Sequence, residues 1–172
     1  MPSRQPCPSS RNFYQDLEAE LCILGQKLST RGLQCATAES CTGGLVGATL
    51  TSISGASQWF VGGIIAYDNR IKTTLLRVPA ACIDVHGAVS REVVCHMAQG
   101  ACKLLHVPIA VAISGVAGPD GGTPEKPVGT VWLGFCVQGV TSSQCLHLEG
   151  DRQRIRRQTV ALVVSALVTK LG

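Results

Sequence analysis

The chain of 172 residues is 45% hydrophobic and 15% charged with a net charge of +4, the balance of one globular domain able to bury about 70% of its unfolded surface. Aromatic residues make up only 4%, and the one basic cluster (Arg152, Arg154, Arg156, Arg157) is local, which argues against a nucleic-acid stacking platform or stripe. No apolar run approaches the ~18 residues of a membrane span, and the start lacks the apolar core of a secretion signal, so a cytoplasmic protein off the membrane is expected.

Residues 1–12 are rich in Pro, Ser and Arg and read as a flexible segment ahead of one domain at 13–172. Leu17, Leu21, Leu24 and Leu28 share one helical face, and Gly32 is its stop signal. Residues 33–38 form an apolar strand, and 45–52 read as a helix opening near Thr42. The run 59–67 is a second strand, and its Gly62-Gly63 pair suggests a bulge or a close approach. A short helix over 69–76 and a loop over 80–90 follow, with Ser90 as N-cap of a helix whose stripe is Val93, Val94, Met97, Ala98, Ala101, Leu104 and Leu105. Residues 109–114 are a buried strand and 115–127 a loop dense in Gly and Pro. Strands at 129–137 and 145–149 flank a turn at 139–143, and Asp151 caps a last helix striped by Ile155, Thr159, Leu162, Val163, Ala166 and Leu167. Helices alternating with fully apolar strands give an α/β fold: a three-layer α/β/α sandwich on a mixed, mainly parallel sheet.

Nine cysteines in odd number, without a C-x-x-C pair, argue against a disulfide framework, and the four histidines lack metal-ligand spacing. No metal and no cofactor are expected. Cys22, Cys95, Cys102 and Cys136 read as small buried hydrophobes, and Cys7 as an oxidation liability.

Ligands in such sheets gather at the carboxyl ends of strands. Three ends here are polar or glycine-rich: Glu39-Ser40-Cys41-Thr42-Gly43-Gly44, Tyr67-Asp68-Asn69, and 114–122, and they are expected to converge on one site. Ser40 is either an N-cap or a nucleophile at a helix N-terminus that stabilises negative charge. Lys72, near the start of a helix and beside Ile64, Ile65, Ile71 and Leu75, is placed to lose its charge and act as base, with Tyr67 as relay. The alternative is a surface lysine. Cys41 is the rival nucleophile, its thiol pKa expected to fall at the helix end, or else a packed thiol. Candidate substrate contacts at the three ends are Glu39, Thr42, Gly43, Gly44, Asn69, Gly115, Gly118 and Asp120. Arg152 and Arg156 are either phosphate donors or a solvated face.

The strings Ala38-Glu39-Ser40-Cys41-Thr42-Gly43-Gly44, Gly87-Ala88-Val89-Ser90, Ser114-Gly115-Val116-Ala117-Gly118-Pro119-Asp120-Gly121-Gly122 and Lys126-Pro127-Val128-Gly129-Thr130-Val131 resemble the CinA C-terminal domain family, in its order and spacing, across 17–171. Stand-alone members are similar to bacterial nicotinamide-nucleotide amidohydrolases, which convert nicotinamide mononucleotide to nicotinic acid mononucleotide and ammonia. The resemblance implies a metal-free Ser–Lys amidase with Ser40, Tyr67, Lys72 and Ser114 as catalytic residues. It also implies Arg152, in Gly150-Asp151-Arg152, as a phosphate ligand and backbone N–H groups of 42–44 as the oxyanion site. A small-molecule nucleotide substrate and a homo-oligomer, dimer or trimer, are the expected partners. The alternatives are a non-catalytic nucleotide-binding or protein-partner module linked to competence or recombination, and a cysteine amidase using Cys41. Asp68, where the family commonly has Ser, would favour a charged lysine.

Overall fold

Helices and strands alternate at first and then group, three helices followed by three strands before a last helix. The computed structural model describes residues 13–172; the flexible segment expected at 1–12, with Cys7, lies outside the described residues. Helix α1 is Phe13–Thr30, strand β1 Cys35–Glu39, helix α2 Leu45–Leu50 and strand β2 Phe60–Ile65. Helices α3 (Asn69–Thr74), α4 (Ala80–His86) and α5 (Arg91–Leu105) precede β3 (Ile109–Gly115), β4 (Thr130–Val137), β5 (Val140–His147) and α6 (Arg152–Lys170).

The sheet order is β2-β1-β3-β4-β5. β1 pairs in parallel with β2 and β3, while β4 is antiparallel to both β3 and β5. Only β4 therefore runs against the other strands, and the mixed, mainly parallel sheet is as expected. The register with β2 shifts between Cys35 and Ala36, the irregularity that the Gly62-Gly63 pair suggested.

Side-chain alternation in β3 builds the two outer layers. Ile109, Val111 and Ile113 enter a core shared with α1, α2 and α6. Ala110 and Ala112 face a second core with α5 and the α3–α4 connection. Small residues let α5 lie close: a Cβ on Gly134 would strike the Val94 carbonyl, and one on Gly100 the Leu76 carbonyl.

Four expectations change. Residues 80–86 are helical rather than loop, because Pro79 pre-sets the entry and Gly87 (φ 76°) ends the turn, while none of the helix's residues is fully buried to leave an apolar signature. The β4–β5 connection is two residues, Gln138 (φ 50°) and Gly139 (φ 84°), between paired Val137 and Val140. That is the tight turn matched to strand twist, and 140–143 belong to β5, a half-exposed strand whose polar residues hid it. Among the cysteines, Cys136 is buried and Cys95 and Cys102 half-buried, but Cys22 is exposed. Leu104 and Leu162 also leave their predicted stripes for the surface, with Val160 and Val164 completing the buried face of α6.

No helix among the described residues is long and apolar enough to cross a membrane.

Candidate active site

Because β1, β2 and β3 run parallel, their carboxyl ends open on one edge of the sheet. A pocket of about 230 Å³ lies there. Ser40 and Cys41 enter it from the end of β1 and Tyr67 from the end of β2. Gly115 comes from the end of β3, Val116, Ala117, Gly118, Asp120 and Gly121 from the loop after it, and Arg152 from the first turn of α6. The three strand ends converge on one site.

The turn that carries Ser40 is held from both sides. Its backbone N–H donates to the Ile113 carbonyl at 2.9 Å, and its carbonyl accepts from Gly43 at 3.0 Å. Gly43 (φ 57°) and Gly44 (φ 93°) take the left-handed conformation that closes the turn. Strand alternation sends the preceding side chain, Glu39, to the opposite side, where it is 2% exposed. Its carboxylate accepts from the backbone N–H groups of Gly44 (3.0 Å), Val46 (3.0 Å) and Gly47 (2.8 Å) and from the Thr37 hydroxyl (3.3 Å). These are the otherwise unpaired donors at the start of α2. Glu39 is thus the cap that Ser40 was offered to be, and the Ser40 hydroxyl has no hydrogen-bond partner among the described residues.

That cap changes the expected oxyanion site. The Gly43 and Gly44 amides are engaged by Ser40 and Glu39, whereas the Cys41 and Thr42 amides donate to no carbonyl among the described residues. The Cys41 thiol does not become acidic: burial pushes it up to about 11, outweighing its own backbone amide and Arg156, which pull it down.

Lys72 is 1% exposed. Its ammonium donates to the Tyr67 carbonyl at 3.2 Å and the Asn69 side-chain oxygen at 3.3 Å, both neutral acceptors. Burial lowers its pKa below the ordinary lysine value, and Asp68 and Cys41 only partly oppose this. Asp68 is directed elsewhere: it caps α3 through the Arg70 N–H at 2.8 Å and pairs with the Arg70 guanidinium at 3.1 Å. The Tyr67 hydroxyl does not meet Lys72. It accepts from Arg152 Nη2 at 3.2 Å, while Arg152 Nη1 donates to the Gly118 carbonyl at 2.9 Å.

Residues 18–171 match the CinA C-terminal domain profile. The chain belongs to the CinA C-terminal domain family. It is 46% identical over 147 residues to the nicotinamide-nucleotide amidohydrolase PncC of Escherichia coli K12, covering 84% of this chain and 88% of that protein. The nicotinamide-nucleotide amidohydrolase PncC of Pseudomonas putida is also 46% identical, over 84% of this chain and 91% of the relative. Among solved structures, a CinA superfamily protein from Klebsiella pneumoniae superposes with a TM-score of 0.87 at 34% identity, over 94% of this chain and 98% of the other.

Within this CinA fold the motif residues divide between pocket wall and support. Ser40, Tyr67, Gly115, Gly118, Asp120 and Arg152 line the wall. Glu39, Thr42, Gly43, Gly44, Asn69 and Arg156, expected as substrate contacts, are not among the lining residues. Asn69 holds Lys72, and Arg156 Nη2 donates to the Thr42 carbonyl at 2.7 Å. Thr42 is fully buried, and its hydroxyl and the Arg156 Nε are without a hydrogen-bond partner among the described residues. Ser114, also buried, donates its hydroxyl to the Ala88 carbonyl at 2.7 Å. Sequence reasoning passed over Val116, Ala117 and Gly121 as wall residues; the signal for the first two is lying between Gly115 and Gly118, and for Gly121 following Asp120.

Proposed function

We propose that the protein hydrolyses the carboxamide of nicotinamide mononucleotide to nicotinic acid mononucleotide and ammonia. The observation that carries this reading is Lys72, an amine of α3 buried among neutral acceptors, on the helix that follows β2, while the end of neighbouring β1 carries an unengaged serine hydroxyl. Membership in the family of the similar amidohydrolases supplies the substrate class. Ser40 Oγ attacks the carboxamide carbon and its proton passes to neutral Lys72. The tetrahedral oxyanion is met by the Cys41 and Thr42 amides. Collapse expels the amine, protonated by Lys72, as ammonia and leaves an ester on Ser40. Water, deprotonated by Lys72, then releases the acid and restores the serine. Arg152 binds the phosphate, exchanging its Tyr67 contact for the ligand. Asp120, which lines the pocket, accepts from the ribose hydroxyls.

A homo-oligomer in the cytoplasm is part of the same reading, supported by exposed Val61, Ile65 and Leu75 on and beside edge strand β2; sedimentation tests the oligomer. Ammonia release from nicotinamide mononucleotide tests the reaction. Ser40→Ala is expected to fold and lose ~10³-fold or more in turnover, and Cys41→Ala to keep measurable turnover. Activity surviving in Ser40→Ala but not in Cys41→Ala would move the chemistry to the thiol. Tight nucleotide binding without ammonia release would leave a binding module.

A further inference from the structure

The wall between β3 and β4 runs from buried Ala117 and Gly118 out to the surface. Residues 119–125 are all exposed, yet Asp120 and Gly121 among them line the site. A wall so placed needs anchors. At its base the Val116 N–H donates to the Thr130 carbonyl and the Gly129 N–H to the Val116 carbonyl, each at 2.8 Å. On the pocket side Arg152 holds the Gly118 carbonyl. On the far side Lys126 Nζ donates to the His86 carbonyl at 2.7 Å.

Resting on the amidase reading above, we propose that Lys126 is a positioning residue that clamps the substrate wall onto the C-terminus of α4 and so sets substrate affinity. His86 is the last residue of α4, where helix carbonyls lack intrahelical partners and a cation is favoured. Gly87 leaves the ammonium its place: a Cβ there would come within 3.1 Å of Lys126 Nζ. The backbone of Lys126 is fixed in turn, its N–H donating to the Thr123 hydroxyl at 3.1 Å and its carbonyl accepting from the Thr123 N–H at 3.0 Å. Ser114, just before the wall, donates to the carbonyl of Ala88, two residues after His86. The end of β3 and the far side of the wall are thus fastened to one short stretch, 86–88. Without the ammonium the wall must be ordered by the substrate itself, which weakens binding and leaves the Ser40–Lys72 chemistry in place.

Lys126→Met and Lys126→Arg, compared with the wild type, test this in two ways. With nicotinamide mononucleotide, Lys126→Met should raise KM about fivefold with kcat within about twofold, the loss of one partly screened charge-assisted hydrogen bond, and Lys126→Arg should restore KM. Without substrate, proteinase K should cut within 119–125 faster in Lys126→Met than in the wild type or Lys126→Arg. Unchanged KM and unchanged cleavage in Lys126→Met, or a fall in kcat at constant KM, would overturn the clamp. If the wild type releases no ammonia, the amidase reading fails and the cleavage comparison alone decides the clamp.

Discussion

Among the described residues, an amine with 1% exposure, bonded only to the Tyr67 carbonyl and the Asn69 amide oxygen, has no carboxylate in contact to hold its proton. The neutral form is the base, so kcat/KM should rise with pH as Lys72 deprotonates, along a limb below the ~10.4 of a free lysine. A pH profile checks this: the limb should vanish in Lys72→Met, whose activity falls by ~10²–10⁴-fold. Stability follows the same sign. The folded pKa is depressed, so the unfolded chain binds more protons between the two values, and the penalty, full at lower pH, is relieved as pH rises through that window. Part of this was legible in the chain, since Lys72 stands among apolar residues. Ile64 and Ile71 pack into the second core as that implies, but Ile65 and Leu75 are exposed. The direction of the Tyr67 hydroxyl was not legible, because Arg152, which holds it, lies 85 residues away in the chain.

Among the elements, α2 owes its start to a side chain from the preceding strand. Glu39→Ala would leave the Gly44, Val46 and Gly47 amides without their acceptor, a loss of about 3 kcal/mol. Thermal unfolding should show it as a melting temperature lower by roughly 6–12 °C; a shift under 2 °C would mean that other acceptors or water replace the carboxylate. The helices with strong stripes, α1 and α5, could be read directly, since their burial follows 3.6-residue spacing. Helix α4 and the first half of β5 could not. Both are short or exposed on one side, and they are determined by Pro79, Gly87 and the Gln138-Gly139 turn rather than by apolar rhythm. Likewise the Glu39 cap was hidden because its amide donors lie five to eight residues on, where an ordinary N-cap bonds the amides two or three residues on.

Across the whole molecule, protection is graded from the middle of the sheet outward. β1 and β3 are buried on both faces, whereas β2 and β5 are edges with alternating exposure. Amide hydrogen exchange should find the slowest protons in β3, opening only with global unfolding, and faster ones in β5. Equal rates in the two strands would refute this ordering. The layered α/β/α architecture followed from the alternation of elements, and the location of the pocket followed from three polar strand ends, because parallel strands leave no other edge for them. The division of labour within the pocket depended on contacts between distant segments. That division bears on how such a site can diversify. Residues 39–44 form the nucleophile turn and the helix cap together, so a substitution there that alters recognition also endangers folding. Residues 119–125 join the pocket to no core. Outside Gly121, Gly122 and Thr123, which turn geometry, close packing and the Lys126 anchor restrict, drift in substrate range therefore has tolerant positions there in which to accumulate, and directed evolution of new amide specificities should begin with them.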